Sequence, residues 1–386
     1  MREKENRQFR ILSALGIIFV VAGHLGYGLF DVGGLFPCYS FHVFIFLFVS
    51  GYFYREDAES DILGYIRRKC FTLLLPYFVW NLFYGILARI LHGAGFSMGE
   101  ELSFKTLFLS PFTDGHQFLY HFPAWFVPAL FLVEVINVLM RRVLGMLHLK
   151  NEWMILSLCL AAGIATIRLA IGGHVWGLYK MPGRLLLMLP GLQMGRIYRQ
   201  KLEIRDTLPD GIYFLIVMGA QVLICVSNAG LAFGVVWVTS FANGPVTPYL
   251  TVITGIAFWL RVARIISGHP FLSEKLAAIG RGTYSVMMHH AAVFMLVKGF
   301  FYLCSRRTSF CAGFDSELFF HDINYVYSVG GTEAGKWIYL LAGIGVPLLA
   351  DRALRGAWRR LNKNGGGFFT KRVQKEVQNG YKSTDV

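Results

Sequence analysis

The sequence predicts an all-α protein, a polytopic transmembrane helical bundle of about ten spans with both termini cytoplasmic. Three observations carry that expectation. Hydrophobic residues make up 55% of the 386-residue chain, with 34 Phe and only 16% charged residues, which is more apolar surface than a soluble domain of this length buries. Several apolar stretches reach roughly 18 residues or more, enough to cross about 30 Å of hydrocarbon as helix. Lys and Arg fall in short clusters between those stretches, the pattern of membrane topology rather than of a phosphate groove. The net charge of +14 is therefore not read as a nucleic-acid surface, and nucleic acid is not an expected partner.

Taken in order, spans are expected near 11–30, 36–54, 70–91, 124–140, 153–171, 184–198, 211–228, 247–263, 283–303 and 337–351. The opening MREKENRQFR puts positive charge before an apolar run, as a secretory signal does, but no small-residue cleavage site follows. Residues 1–10 thus read as a cytoplasmic segment and 11–30 as a retained first helix. With the N-terminus inside, the inner segments 1–10, 55–69, 141–150, 196–205, 261–281 and 352–386 hold 28 of the 37 basic residues, and that asymmetry sets the orientation. The apolar piece near 229–240 is too short to cross alone and reads as interfacial or re-entrant. One membrane domain over 11–352 is expected, followed by a basic, glycine-containing cytoplasmic tail, 353–386.

Two long loops fall on the outer face: 92–123, with His92, His116 and His121, and 304–336, with Asp315, Glu317, His321, Asp322 and Glu333. Loops of this size serve either as an acceptor-binding surface or as solvated tethers. The six cysteines lie too far apart for a zinc motif, and no metal site is expected. Cys38, Cys304 and Cys311 fall near the outer face, where one disulfide is open to them. Arg168 and Arg184 flank the outer segment 172–183, placed to clamp a substrate carboxylate or phosphate or simply to snorkel.

The candidate chemistry rests on two histidines in the first two spans. A neutral imidazole is costly in hydrocarbon without a partner, so His24 and His42 mark a site. At 1.5 Å per residue, His24 lies roughly 20 Å above Ile11, about 10 Å short of the outer surface. His42, six residues into the returning span, lies roughly 9 Å below that surface. The two are expected to face one polar cavity in the outer half of the membrane. Such a pair suits general-base work on a hydroxyl, and it also suits plain interhelical hydrogen bonding.

The stretches VVAGHLGYGLF and YSFHVFIFLFVSGYFYR resemble the opening of the acyltransferase-3 membrane O-acyltransferases, in particular the fucose 4-O-acetylase-like branch with its VVLGH and FHMPLFFFISGY patterns. His24 falls on that family's first-helix histidine; His42, Ser50 and Gly51 fall on its second-helix motif. KCFTLLLPYFVWN with Pro76 and Tyr77, AWFVPALF with Trp125 and Pro128, and IGRGTYSVMMHH ending at His290 extend the resemblance over roughly residues 10 to 295. The chain departs from the pattern in helix one, where Arg10 and Ser13 stand at the family's acidic and basic positions; Arg10, one turn below Ser13, is the candidate replacement for the basic group.

The resemblance implies transfer of an acyl group, commonly acetyl, from cytoplasmic acyl-CoA to a hydroxyl of an extracytoplasmic glycan or lipid-linked sugar at the plasma membrane. It implies His24 as catalytic base and His42 as orienting partner or second base. CoA is polyanionic, so a basic cluster at the inner face is required, and Arg67, Arg68 and Lys69 supply one, although positive-inside anchoring also accounts for them. His290, counted from its own helix start at a different depth from His24, is assigned to the donor side or to packing. The rival reading is a transporter or polysaccharide exporter using the histidines as a relay; the sequence has no inverted repeat to support it.

Overall fold

A computed structural model describes residues 6–26, 28–231 and 241–364. Most of the piece expected to be interfacial or re-entrant near 229–240, and the chain beyond Asn364, lie outside the described residues. Every regular element among the described residues is helical. The principal helices are α1 (Arg7–Gly23), α2 (His42–Tyr52), α3 (Ile62–Gly93, with a π-turn at Cys70–Leu74), α4 (Phe126–Met146), α5 (Glu152–Ile171) and α6 (Lys180–Ile197). They continue with α7 (Asp210–Ser227), α8 (Thr247–Ser267), α9 (Pro270–Gly280), α10 (Thr283–Ser305) and α11 (Lys336–Asn364).

Each expected span coincides with a helix, and seven of the described helices, α3, α4, α5, α7, α8, α10 and α11, are long and apolar enough to cross a membrane. The chain is a multi-pass membrane protein. The three that fall short are the interior of the bundle. In α1, 13 of 17 residues are buried, in α2 9 of 11, and in α6 16 of 18. Helices enclosed by other helices are freed from the lipid-facing length rule, and α6 carries Lys180, Arg184 and Arg196 because protein surrounds them. By contrast α7 buries only Gln221 and stands at the rim.

Close backbone approach joins α2 to α6. A Cβ on Gly51 would lie 1.9 Å from the carbonyl oxygen of Leu192, and one on Gly195 1.9 Å from that of Phe48. Only glycine permits both contacts, the small-residue packing that substitutes for a hydrophobic drive between helices in lipid.

The helices alternate between two ends. At the terminal end, Arg141 bonds Glu59 (2.9 Å) and Glu152 (2.6 Å), and Arg196 bonds Glu152 (2.9 Å) and Glu56 (2.8 Å). These arginines, counted above as topology charges, therefore also tie α4, α5 and α6 to the segment after α2. At the loop end, the two long loops pack on each other, with Ser97 against His321 (2.6 Å), while Lys298 of α10 donates to the Ile323 carbonyl (2.9 Å). The expected start of the tail at 353 falls inside α11, which stays helical through Asn364.

Two boundaries differ from expectation. The first span was expected to reach residue 30, but α1 stops at Gly23, where Gly26 takes a left-handed φ of +59° and bonds back to the Gly23 carbonyl. Likewise α2 starts at His42, after Pro37 and a short 3₁₀ turn, rather than near 36. The apolar stretch between them is a folded loop, so each histidine stands at a helix end.

Candidate active site

His24 follows the last turn of α1 and His42 opens α2; both line a cavity of about 420 Å³ at the loop end. Its walls include Tyr39, Phe122, Trp125 and Trp176, with Asp114, His116, Lys180 and Arg184 as the charged or titratable members. The long loop before α4 supplies Asp114, His116 and Phe122, and the loop before α11 supplies Asn324. The two histidines therefore share one cavity.

His290 is the principal surprise of the geometry. Its depth, counted along its own helix, was expected to differ from that of His24, yet His24 Nδ1 lies 2.9 Å from His290 Nε2, with the rings stacked. Depth counted along one helix does not say which faces meet: α10 packs beside α1 with the His290 and His24 rings on their common face, and the side chains span the remaining difference in rise. His289, one residue earlier, turns instead to the Tyr84 hydroxyl (2.8 Å).

Hydrogen-bond chemistry fixes the tautomers. A carbonyl oxygen only accepts, so His290 Nδ1 donates to Val286 (2.7 Å), and the neutral ring then has only a lone pair at Nε2. His24 Nδ1 must donate to that lone pair, leaving its own Nε2 as the basic nitrogen. By the same rule His42 Nδ1 donates to the Cys38 carbonyl (2.6 Å), and its basic nitrogen is also Nε2. A directed chain runs from the Val286 carbonyl through His290 to His24.

The charged wall is built around Asp114. Lys180 and His116 (3.3 Å) both bond its carboxylate, and Lys180 also stands 4.9 Å from the Trp176 ring centroid. The His116 contact, then Lys180, hold the Asp114 carboxyl well below the usual carboxylate range. Burial, helped by Arg184 and Lys180, pushes the His116 imidazole below its ordinary value despite Asp114, so His116 is a neutral donor near pH 7. Arg184, 1% exposed, lies with its guanidinium 4.0 Å from the Trp125 ring centroid.

The basic triplet at the terminal end is split. Lys69 turns inward to Glu134 (2.9 Å), which also accepts from Ser50, while Arg67 and Arg68 are exposed and Arg67 lies over Phe71. A second basic concavity at the same end gathers Arg281, Arg352 and Arg355 with Asp351. Of the loop histidines only His116 reaches the cavity; His121 bonds Asn81 (3.1 Å) beneath it. All six cysteines are free thiols, so the outer pairing left open by sequence is not formed. Of the cavity residues, sequence reasoning passed over Lys180 and Asp114. Lys180 with Arg184 is a basic i, i+4 pair on an apolar helix, a signal that was available; nothing in the sequence marks Asp114.

The fold and the site define a multi-pass helical membrane protein with a half-buried histidine in a cavity lined by aromatic and charged residues. The family model described as "Acyltransferase domain" matches residues 7–314, more than half of the chain. This protein belongs to the acyltransferase-3 family. No curated protein and no solved structure matches it.

Proposed function

We propose that this acyltransferase moves an acyl group, acetyl in the family's common case, from cytoplasmic acyl-CoA to a hydroxyl of an extracytoplasmic glycan or lipid-linked sugar. The observation that carries the reading is the chain Val286, His290, His24, which leaves Nε2 of His24 as a neutral base in a cavity walled by aromatic rings. In the reaction the acceptor hydroxyl gives its proton to that nitrogen as its oxygen attacks the thioester carbonyl carbon. The new C–O bond forms, the C–S bond breaks, and the CoA thiolate leaves and is protonated from His24. His290, rather than His42, orients the base; His42 faces the same cavity as a second acceptor of protons. The protein sits in the plasma membrane with both termini cytoplasmic, and Arg67 and Arg68, with Lys69 partly committed to Glu134, receive the CoA phosphates.

The test is acyl transfer by purified protein in nanodiscs, using radiolabelled acetyl-CoA and a panel of monosaccharide glycosides. Transfer to a glycoside that is lost in His24→Ala supports the reading. A protein that binds glycosides but never consumes acetyl-CoA would return the histidines to a transport relay.

A further inference from the structure

We infer that the acceptor carries an anionic group, a carboxylate or phosphate on the sugar, and that Arg184 of α6 is its receptor; this rests on the acyltransferase reading of the same cavity. The argument begins with an imbalance. Arg184 is 1% exposed and lines the cavity, yet among the described residues it has no ion-pair partner. Its guanidinium donates from Nη1 to the Asp114 main-chain carbonyl (3.3 Å), and its Nε is buried without a partner. The nearby carboxylate of Asp114 is already engaged by Lys180 and His116. A buried guanidinium left with spare donors is costly, and an anion from outside is what would satisfy it.

A neighbouring feature fits the same ligand. Trp125 and Trp176, each facing a cation, and Phe122, edge-on to His24, provide the flat apolar faces that sugar rings pack on. The anion belongs to the acceptor and not to the donor. His24 must lie next to the reacting carbonyl, and in acyl-CoA the whole pantetheine arm separates that carbonyl from the phosphates.

The experiment compares methyl β-glucuronide, glucose 6-phosphate and methyl β-glucoside on the full-length protein in nanodiscs, by equilibrium binding and as acceptors from acetyl-CoA. Binding of one or both acidic sugars roughly ten- to hundredfold tighter than the glucoside is expected, as for hydrogen bonds to a charged group. The glucuronide and phosphate arms tell which anion is meant. Arg184→Gln should abolish the preference and Arg184→Lys retain part of it. Equal affinity of the wild-type protein for acidic and neutral sugars overturns the inference without recourse to any variant. So does a folded Arg184→Gln protein with its preference intact. Acyl transfer to acidic and neutral sugars alike would remove the inference and leave the enzyme reading standing; selective binding of an acidic sugar with no transfer would do the reverse.

Discussion

Replacing His290 by Ala removes the acceptor for His24 Nδ1–H without touching the nitrogen that receives the substrate proton. A buried donor stripped of its partner costs roughly 1–3 kcal/mol. If that cost falls on the geometry of the base in the transition state, it converts at about 1.4 kcal/mol per decade into a loss of roughly 5- to 150-fold in kcat. KM for the acceptor should change little, since His290 is fully buried behind His24. Two further variants separate positioning from mere packing. His290→Gln offers a carbonyl oxygen in place of the lost nitrogen and should recover a good part of the rate; His290→Leu keeps the volume and should not. The double variant His24→Ala with His290→Ala should be no slower than His24→Ala alone, because an orienting group has nothing to orient once the base is gone. The assay is steady-state acetyl transfer in nanodiscs. Additive losses in the double variant, or a His290→Leu enzyme at wild-type rate, would refute the orienting role of His290.

His24→Ala should lower transfer by roughly 10²- to 10⁴-fold with insertion and thermal stability preserved, and activity within a few-fold of wild type would remove it from the mechanism. Changing Arg67 and Arg68 to Glu should raise KM for acetyl-CoA and flatten its dependence on salt; if the same change at Arg281 and Arg352 does so instead, the second concavity is the phosphate site. Gly195→Val puts a side chain where the Phe48 carbonyl lies, so α2 and α6 must part; a loss of roughly 1–3 kcal/mol or more should appear as a lower melting temperature in detergent, and an unchanged melt would contradict the packing. Glu134→Gln removes the anion facing Lys69 and should free that side chain, read as faster amine labelling of Lys69.

The sequence by itself determined the class of the protein. Runs of apolar residues long enough for hydrocarbon, separated by basic clusters, leave few alternatives to a helical bundle, because helices alone satisfy their backbone within one segment. It also singled out His24 and His42, since an imbedded imbalance of polarity is visible one residue at a time. What it did not yield was which groups meet. The pairing of His24 with His290 depends on α10 packing beside α1 with the faces that carry the two rings turned to each other, and no count along a single helix contains that neighbourhood. The same holds for Arg184: in the chain it is a basic residue near a span end, equally suited to snorkelling, while Arg168 at the other side of the loop is exposed. Only the tertiary packing, which surrounds α6 with other helices and spends Asp114 on Lys180 and His116, turns one of these two arginines into a buried cation awaiting an anion.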